Sequence, residues 1–377
     1  MPVLNFQQLT NADKTTTRTL LHEAIPITGT ILTGAYSAGA NIKNYTHGQF
    51  QSVYDYPYLS SSANHIFDIS VGYDESSGCS ASAVAGTGVQ IDKKINMYNQ
   101  FAQTYLGFTG SSNTVELFES DLSFVDNNAQ MKQCFFVNFS RLLTKDQIKK
   151  GSVSLTVSSA SWGDGTPGDT VFDTDLITLT DASASEGTNA GVKNTLAGDY
   201  GVLYTSGNVA HGLVFYQAGT LVLSSSLFAS SSNAVTDASV AAGGPNTFNS
   251  GSVLSGSSTN YTPLTVVQSL VSASISGSCD ALRHRIKTLS FNNTTEINSQ
   301  IYFCRVPHNK FNYSSNPTYL SGSKIRVKTS AADQPVSYIT TVGLYNSAGE
   351  LLATAKLSEP LRKDPNNEIT LRVRLDY

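Results

Sequence analysis

Six histidines are the first residues to test for acid–base or metal chemistry: His22, His47, His65, His211, His284 and His308. None stands three or four positions from another, the spacing that lets two imidazoles hold one ion from a helix. The four cysteines, Cys79, Cys134, Cys279 and Cys304, form no C-x-x-C pair, so no zinc ribbon is expected. Their wide spacing permits one or two disulfides. Cys134 and Cys304 sit in apolar, strand-like runs, which favours buried free thiols in a protein assembled in a reducing cytoplasm. Asp164, Asp169, Asp173, Asp175 and Asp181 offer oxygens to calcium, yet their spacing fits no EF-hand loop and Asp is a common turn former. The chain has no G-x-S-x-G elbow, no phosphate-binding P-loop and no G-x-G-x-x-G after a strand. A Ser/His/Asp triad or a carboxylate pair assembles from distant positions and leaves no local trace. Catalytic, cofactor-binding and metal-binding residues are therefore all assigned as none, and the chain is not expected to be an enzyme.

Chemistry of contact is more visible. Tyr54, Tyr56 and Tyr58 alternate around Pro57, and Phe311, Tyr313 and Tyr319 lie in a second aromatic run, FNYSSNPTYL. Large rigid rings give contact area at low entropy cost, so these six are candidate interface residues, against the alternative of loops folded onto their own core. Arg372 and Arg374 join them as candidates. With Arg362 and Lys363, and with a second cluster of Arg283, His284, Arg285 and Lys287, they would suit an anion or an acidic partner; the competing reading is solvated strand faces with local ion pairs. Exposed tyrosines and the single tryptophan, Trp162, could also stack on sugars, so a host-surface carbohydrate-binding adhesin or fibre-like protein is the first alternative.

These residues must be positioned by a largely β framework. Only 14% of the 377 residues are charged, against about 25% in ordinary soluble domains, and Ser, Thr, Asn and Gly fill the gap. The net charge of −4 gives no global basic field for nucleic acid or an anionic membrane. No signal peptide and no apolar run of bilayer length is visible, so a soluble chain made in the cytoplasm is expected. Met1–Ala24 reads as an extended polar arm. His65–Tyr73 alternates as a strand. Ile95, Tyr98, Phe101, Ala102 and Tyr105 recur at helical spacing, with Asp92 as the expected cap and Gly107 as the stop. Gln133–Leu143, Ser152–Ser158, Ile177–Leu179, Tyr200–Tyr204, Gly212–Tyr216 and Thr220–Leu223 read as strands, Thr144–Gln147 as a capping box, and Ser224–Pro263 as a low-complexity loop. Leu264–Ser276 resumes strand character. Ile286–Phe291 and Ile297–Val306 are expected to form a hairpin across Asn292–Glu296.

The C-terminus has the clearest pattern. Ser337–Tyr345, the turn NSAG and Glu350–Leu357 spell a hairpin. Pro360 and Pro365 bracket an expected loop, Glu359–Asn367. Ile369, Leu371, Val373, Leu375 and Tyr377 then alternate with Thr370, Arg372, Arg374 and Asp376, so the chain closes on a half-buried strand. This order of strand, turn, proline-led loop and terminal strand resembles the C-terminal module of virion structural proteins of large contractile-tailed bacteriophages, in particular the close of a T-even-type baseplate wedge subunit. The resemblance covers about the last quarter of the chain. It implies a structural part of a tail or baseplate, located in the virion, with itself and other virion proteins as partners and a homo-oligomeric state; a neck or capsid-decorating role is the other alternative. The expected fold is mainly β, with β-sandwich-type domains, one amphipathic helix and long Ser/Gly-rich loops. The expected division is an arm and aromatic loop over 1–60, a base domain of 61–151 with 264–377, and an inserted domain over 152–263.

Overall fold

A computed structural model describes residues 6–27, 41–80, 88–108, 114–124, 128–159, 176–185, 191–228, 266–314, 317–322, 324–326, 328, 330 and 332–377. The protein is mainly β, as its composition and alternation imply. Chain contacts divide it into a large unit, His22–Thr295, and a small unit, Met1–Leu21 with Glu296–Tyr377.

Among the described residues, the large unit carries most of the strands and three helices of seven residues or more. Strand β1 (Lys14–Pro26) enters it from the small unit. It is followed by β2 (Ile42–Asn44), β3 (Gln51–Tyr54) and β4 (His65–Tyr73), then helix α1 (Ile91–Tyr105) and β5 (Gln133–Phe139). Next come β6 (Gln147–Ile148), β7 (Ser154–Ser158), β8 (Leu176–Thr180), β9 (Val192–Thr195), β10 (Gly198–Tyr204), β11 (Ala210–Phe215) and β12 (Thr220–Ser224). Helices α2 (Val266–Ser272) and α3 (Ile275–Arg285) precede β13 (Ile286–Val306), which leaves for the small unit. One sheet runs β13-β7-β8-β10-β11-β12-β5-β4-β3-β2, antiparallel at every step.

Period-two alternation gives β5 a core on each face. Phe135, Val137 and Phe139 join Phe67, Ile69 and Val71 of β4 in one core; Cys134 and Phe136 join Tyr98, Ala102 and Tyr105 of α1 in the other. The ring of Phe101 stacks on Phe136 at 4.1 Å. Burying each such side chain contributes about 1.5–3 kcal/mol. The first core also takes Leu155 and Val157 of β7 and Leu289 and Phe291 of β13, and Phe139 meets Phe291 at 4.8 Å. Strands from opposite ends of the order thus face each other: the sandwich-like layering comes from one sheet curling over, with α2 and α3 in the same core.

Several local expectations are corrected. The strands expected of an inserted domain over 152–263 instead continue the sheet of the large unit, because β7 pairs with β13 and β12 with β5. Leu264–Ser276 was expected as a strand; the described part is helical, with Val266, Leu270 and Val271 on one buried face at helical spacing. The expected hairpin over 286–306 is one 21-residue strand. Its turn formers are recruited by neighbours: Asn293 and Thr294 pair with Ile148 and Gln147 of β6, and the Asn293 amide donates to Leu143 O at 2.9 Å. Thr144 ends a short helical turn and Gln147 starts β6, so no capping box forms there. Helix α1 forms where expected, but its N-cap is Gln90 in the left-handed region, with Asp92 inside the first turn. The arm is β1 from Lys14 onward, largely exposed.

In the small unit β14 (Leu320–Ser321) pairs with β15 (Lys324–Ile325), and β16 (Ser337–Tyr345) with β17 (Leu351–Lys363). Asn346 makes the hairpin turn: its Oδ1 accepts from the N–H groups of Ala348 and Glu350, and Gly349 takes φ +81°. Strand β17 runs through Pro360 to Lys363, where a loop was expected; a bulge opposite Thr340 absorbs Leu357–Pro360. The last strand, β18 (Ile369–Asp376), lies antiparallel on β13 from Ser299↔Asp376 to Val306↔Ile369. Tyr377 and Asn298 then exchange both backbone bonds, at 2.8 and 3.1 Å.

Candidate interaction surfaces

In the large unit, the loop after β3 is closed by one carboxylate. Asp55 Oδ1 accepts from Tyr56 N at 2.8 Å and Asn64 N at 2.6 Å, and Oδ2 accepts from Asn64 Nδ2 at 2.9 Å. Asp55 N donates to Asn64 O, and the Asn41 amide donates to Asp55 O. Burial pulls the Asp55 carboxyl upward, but the Asn64 and Tyr56 bonds outweigh it and hold the group below the ordinary carboxylate range. The loop so fixed presents Tyr56 at 52%, Tyr58 at 37% and Leu59 at 84% exposure. Tyr54 is half-buried, edge-on to His65 at 5.6 Å and 6.3 Å from Tyr58. The sequence found the three tyrosines and missed Asp55, Asn64 and Leu59.

Beside this loop stand Ser52, Asp68 and His65. Asp68 Oδ1 accepts from the Ser52 hydroxyl and meets His65 Nε2 at 2.8 Å. The carboxylate lies between the other two groups. A nucleophilic triad needs the imidazole there, because the base must reach the hydroxyl. This trio therefore braces β3 against β4. The basic cluster is likewise structural: Arg283 and Arg285 are buried on α3, Arg283 donating to Asp280 at 2.6 Å and to Gln51 at 3.3 Å, and Arg285 to Ser158 O at 3.2 Å while lying over the Phe228 ring. Only Lys287 of the described members is exposed. Asp181 is buried and accepts from Gly151 N, Val153 N and the Tyr216 hydroxyl. Asp164, Asp169, Asp173, Asp175 and Trp162 lie outside the described residues, as does the Ser224–Pro263 loop beyond Phe228 up to its end. Among the described residues, no group of three or more His, Cys, Asp or Glu is placed to hold a metal ion. The four cysteines are free thiols.

In the small unit, Tyr313 and Tyr319 meet edge-on at 5.2 Å, and the Tyr319 hydroxyl donates to Val336 O. Phe311 is held at φ +58°, a backbone region costly for an aromatic residue, with its carbonyl accepting from the Ser337 hydroxyl. The site is anchored by Lys363, fully buried, whose ammonium donates to Asn312 Oδ1, Asp364 O and His308 O at 2.6, 2.7 and 3.2 Å. Arg374 is committed within the unit, donating to Asp376 at 2.7 Å and Ser299 at 3.0 Å. The Ser299 hydroxyl and then Arg374 hold the Asp376 carboxyl low. Arg372 is exposed on the same strand. The hairpin adds further exposed apolar groups, Tyr338, Tyr345, Leu351 and Leu352, the last at 68%.

No family model, curated protein or solved structure matches the chain.

Proposed function

We propose that the chain is a structural component of a contractile-tailed phage particle, a tail or baseplate part that works by packing against copies of itself and other virion proteins. The observation that carries this reading is a set of large apolar side chains held in water by ordered backbone: Tyr56, Tyr58 and Leu59 on a clamped loop, and Tyr338, Tyr345, Leu351 and Leu352 on a hairpin. Grouped exposed apolar residues mark contact surfaces, and rings fixed before binding lose little entropy on contact. The resemblance of the last quarter of the chain supplies the phage context, and the β13–β18 ladder fits a rigid part.

Mass spectrometry of purified particles tests the location; a chain never recovered from particles ends this reading. In solution, the combined change Tyr56→Ser, Tyr58→Ser and Leu59→Ser weakens association at least about tenfold with circular dichroism unchanged. The same exposed tyrosines also suit a carbohydrate-binding adhesin. Glycan-array binding lost in that variant, with association intact, favours the adhesin.

A further inference from the structure

The two edges of the β16–β17 hairpin are built differently. The β17 edge carries the devices that keep a strand from pairing. One bulge leaves Leu352 unmatched between Ala353 and Leu351, a second spans Leu357–Pro360, Pro360 has no N–H, and Lys356 adds a charge. The β16 edge carries none of them. Ser337–Tyr345 holds no charge and no proline, and Ile339, Thr340, Thr341 and Val342 are β-branched. Among the described residues no strand pairs with this edge. Two contacts hold its ends: the Ser337 hydroxyl donates to Phe311 O, and Phe6 meets the Tyr345 ring at 5.0 Å. A two-stranded hairpin is marginal alone, and this one has no fully buried residue between Tyr338 and Arg362.

We infer that the open edge of β16 is a seam between two copies of the chain, joined antiparallel about a two-fold axis at Thr341 into a four-stranded sheet. The inference rests on the assembly reading above and specifies one of its contacts. A second copy fits because a two-fold interface must match itself. An antiparallel pair of nine-residue strands overlaps fully only when centred on the middle residue, which is Thr341. That register sets Thr341 against Thr341 of the second copy, Thr340 against Val342, Ile339 against Gly343 and Tyr338 against Leu344. Every pair is uncharged, and β-branched and aromatic–aliphatic neighbours stabilise a ladder.

The test uses the full chain in sedimentation velocity and on non-reducing gels. Thr341→Lys and Thr341→Glu each place like charges face to face at the axis and weaken self-association at least about tenfold; mixing the two variants restores it. Thr341→Cys, oxidised, gives a disulfide-linked dimer that Thr354→Cys, on the β17 edge, and the unchanged chain do not. Thr341→Lys that associates like the unchanged chain, or cross-linking through Thr354→Cys instead, overturns the seam while leaving the assembly reading standing. A chain that is monomeric throughout and yields no Thr341→Cys dimer overturns both.

Discussion

Three N–H groups converge on the Asp55 carboxylate, and the conformation of the exposed tyrosines depends on them. Asp55→Ala removes all three bonds and costs about 1 kcal/mol of stability. Its clearer signature is faster hydrogen exchange confined to the amides of residues 56–63, with the rest of the chain unchanged. The pH dependence has a fixed sign. The folded Asp55 pKa lies below its unfolded value, so its contribution is present above about pH 4 and is lost as pH falls through the lowered folded value. Loop amides therefore lose protection, measured against their intrinsic exchange rates, as the pH falls through that value, and Asp55→Asn abolishes that dependence. Lys363 is the second anchor. Lys363→Met leaves three oxygens without their donor and lowers the stability of the small unit by about 1–3 kcal/mol in urea titration. The aromatic residues were legible because Pro57 and the FNYSSNPTYL run mark irregular backbone. Asp55 was not, because its partner lies nine positions away, and Arg283 and Arg285 were misread because charge suggests surface while their partners come from β3 and the end of β7.

Element boundaries followed local pattern where one face was buried and failed where tertiary partners took over. Strands β4, β5, β7, β10, β11 and β12 and helix α1 were legible from period and turn residues. Strand β13 was not, because Asn292–Glu296 is turn material whose polar groups are satisfied by β6 and β1 side chains and backbone, including Asn293 Oδ1 accepting from Glu23 N. Helix α2 was mistaken for a strand because a short apolar run has no decisive period. The packing of α1 gives a sharp test. A Cβ at Gly72 of β4 would stand 2.6 Å from Lys94 O and from Tyr98 N, both helix backbone, so Gly72→Ala pushes the helix off the sheet. A loss of about 1–3 kcal/mol in thermal or urea unfolding is expected. In the small unit, removing Ile369–Tyr377 strips the partner from Ser299–Val306 of β13 and leaves an eight-residue edge open; the truncated chain aggregates where the full chain stays in solution.

At the scale of the whole chain, fold class was legible and the division into units was not. Low charge, turn-rich composition and alternation all point to β structure, and they are sums over many residues that survive local errors. The expected insertion failed because the low-complexity stretch Ser224–Pro263 looks like a domain edge, while the strands before it pair back to β5 and β13. The proposed assembly role rests on a carboxylate-clamped loop, a buried lysine anchor, the β13–β18 ladder and an unprotected hairpin edge, features that suit a rigid part with prepared contact surfaces. Sedimentation velocity of the purified full chain across roughly 1–100 µM, at or above the dissociation constants of specific interfaces of ordinary size, tests that claim most directly. Concentration-dependent growth beyond the monomer is the expected result; a single monomeric species over the whole range contradicts the account.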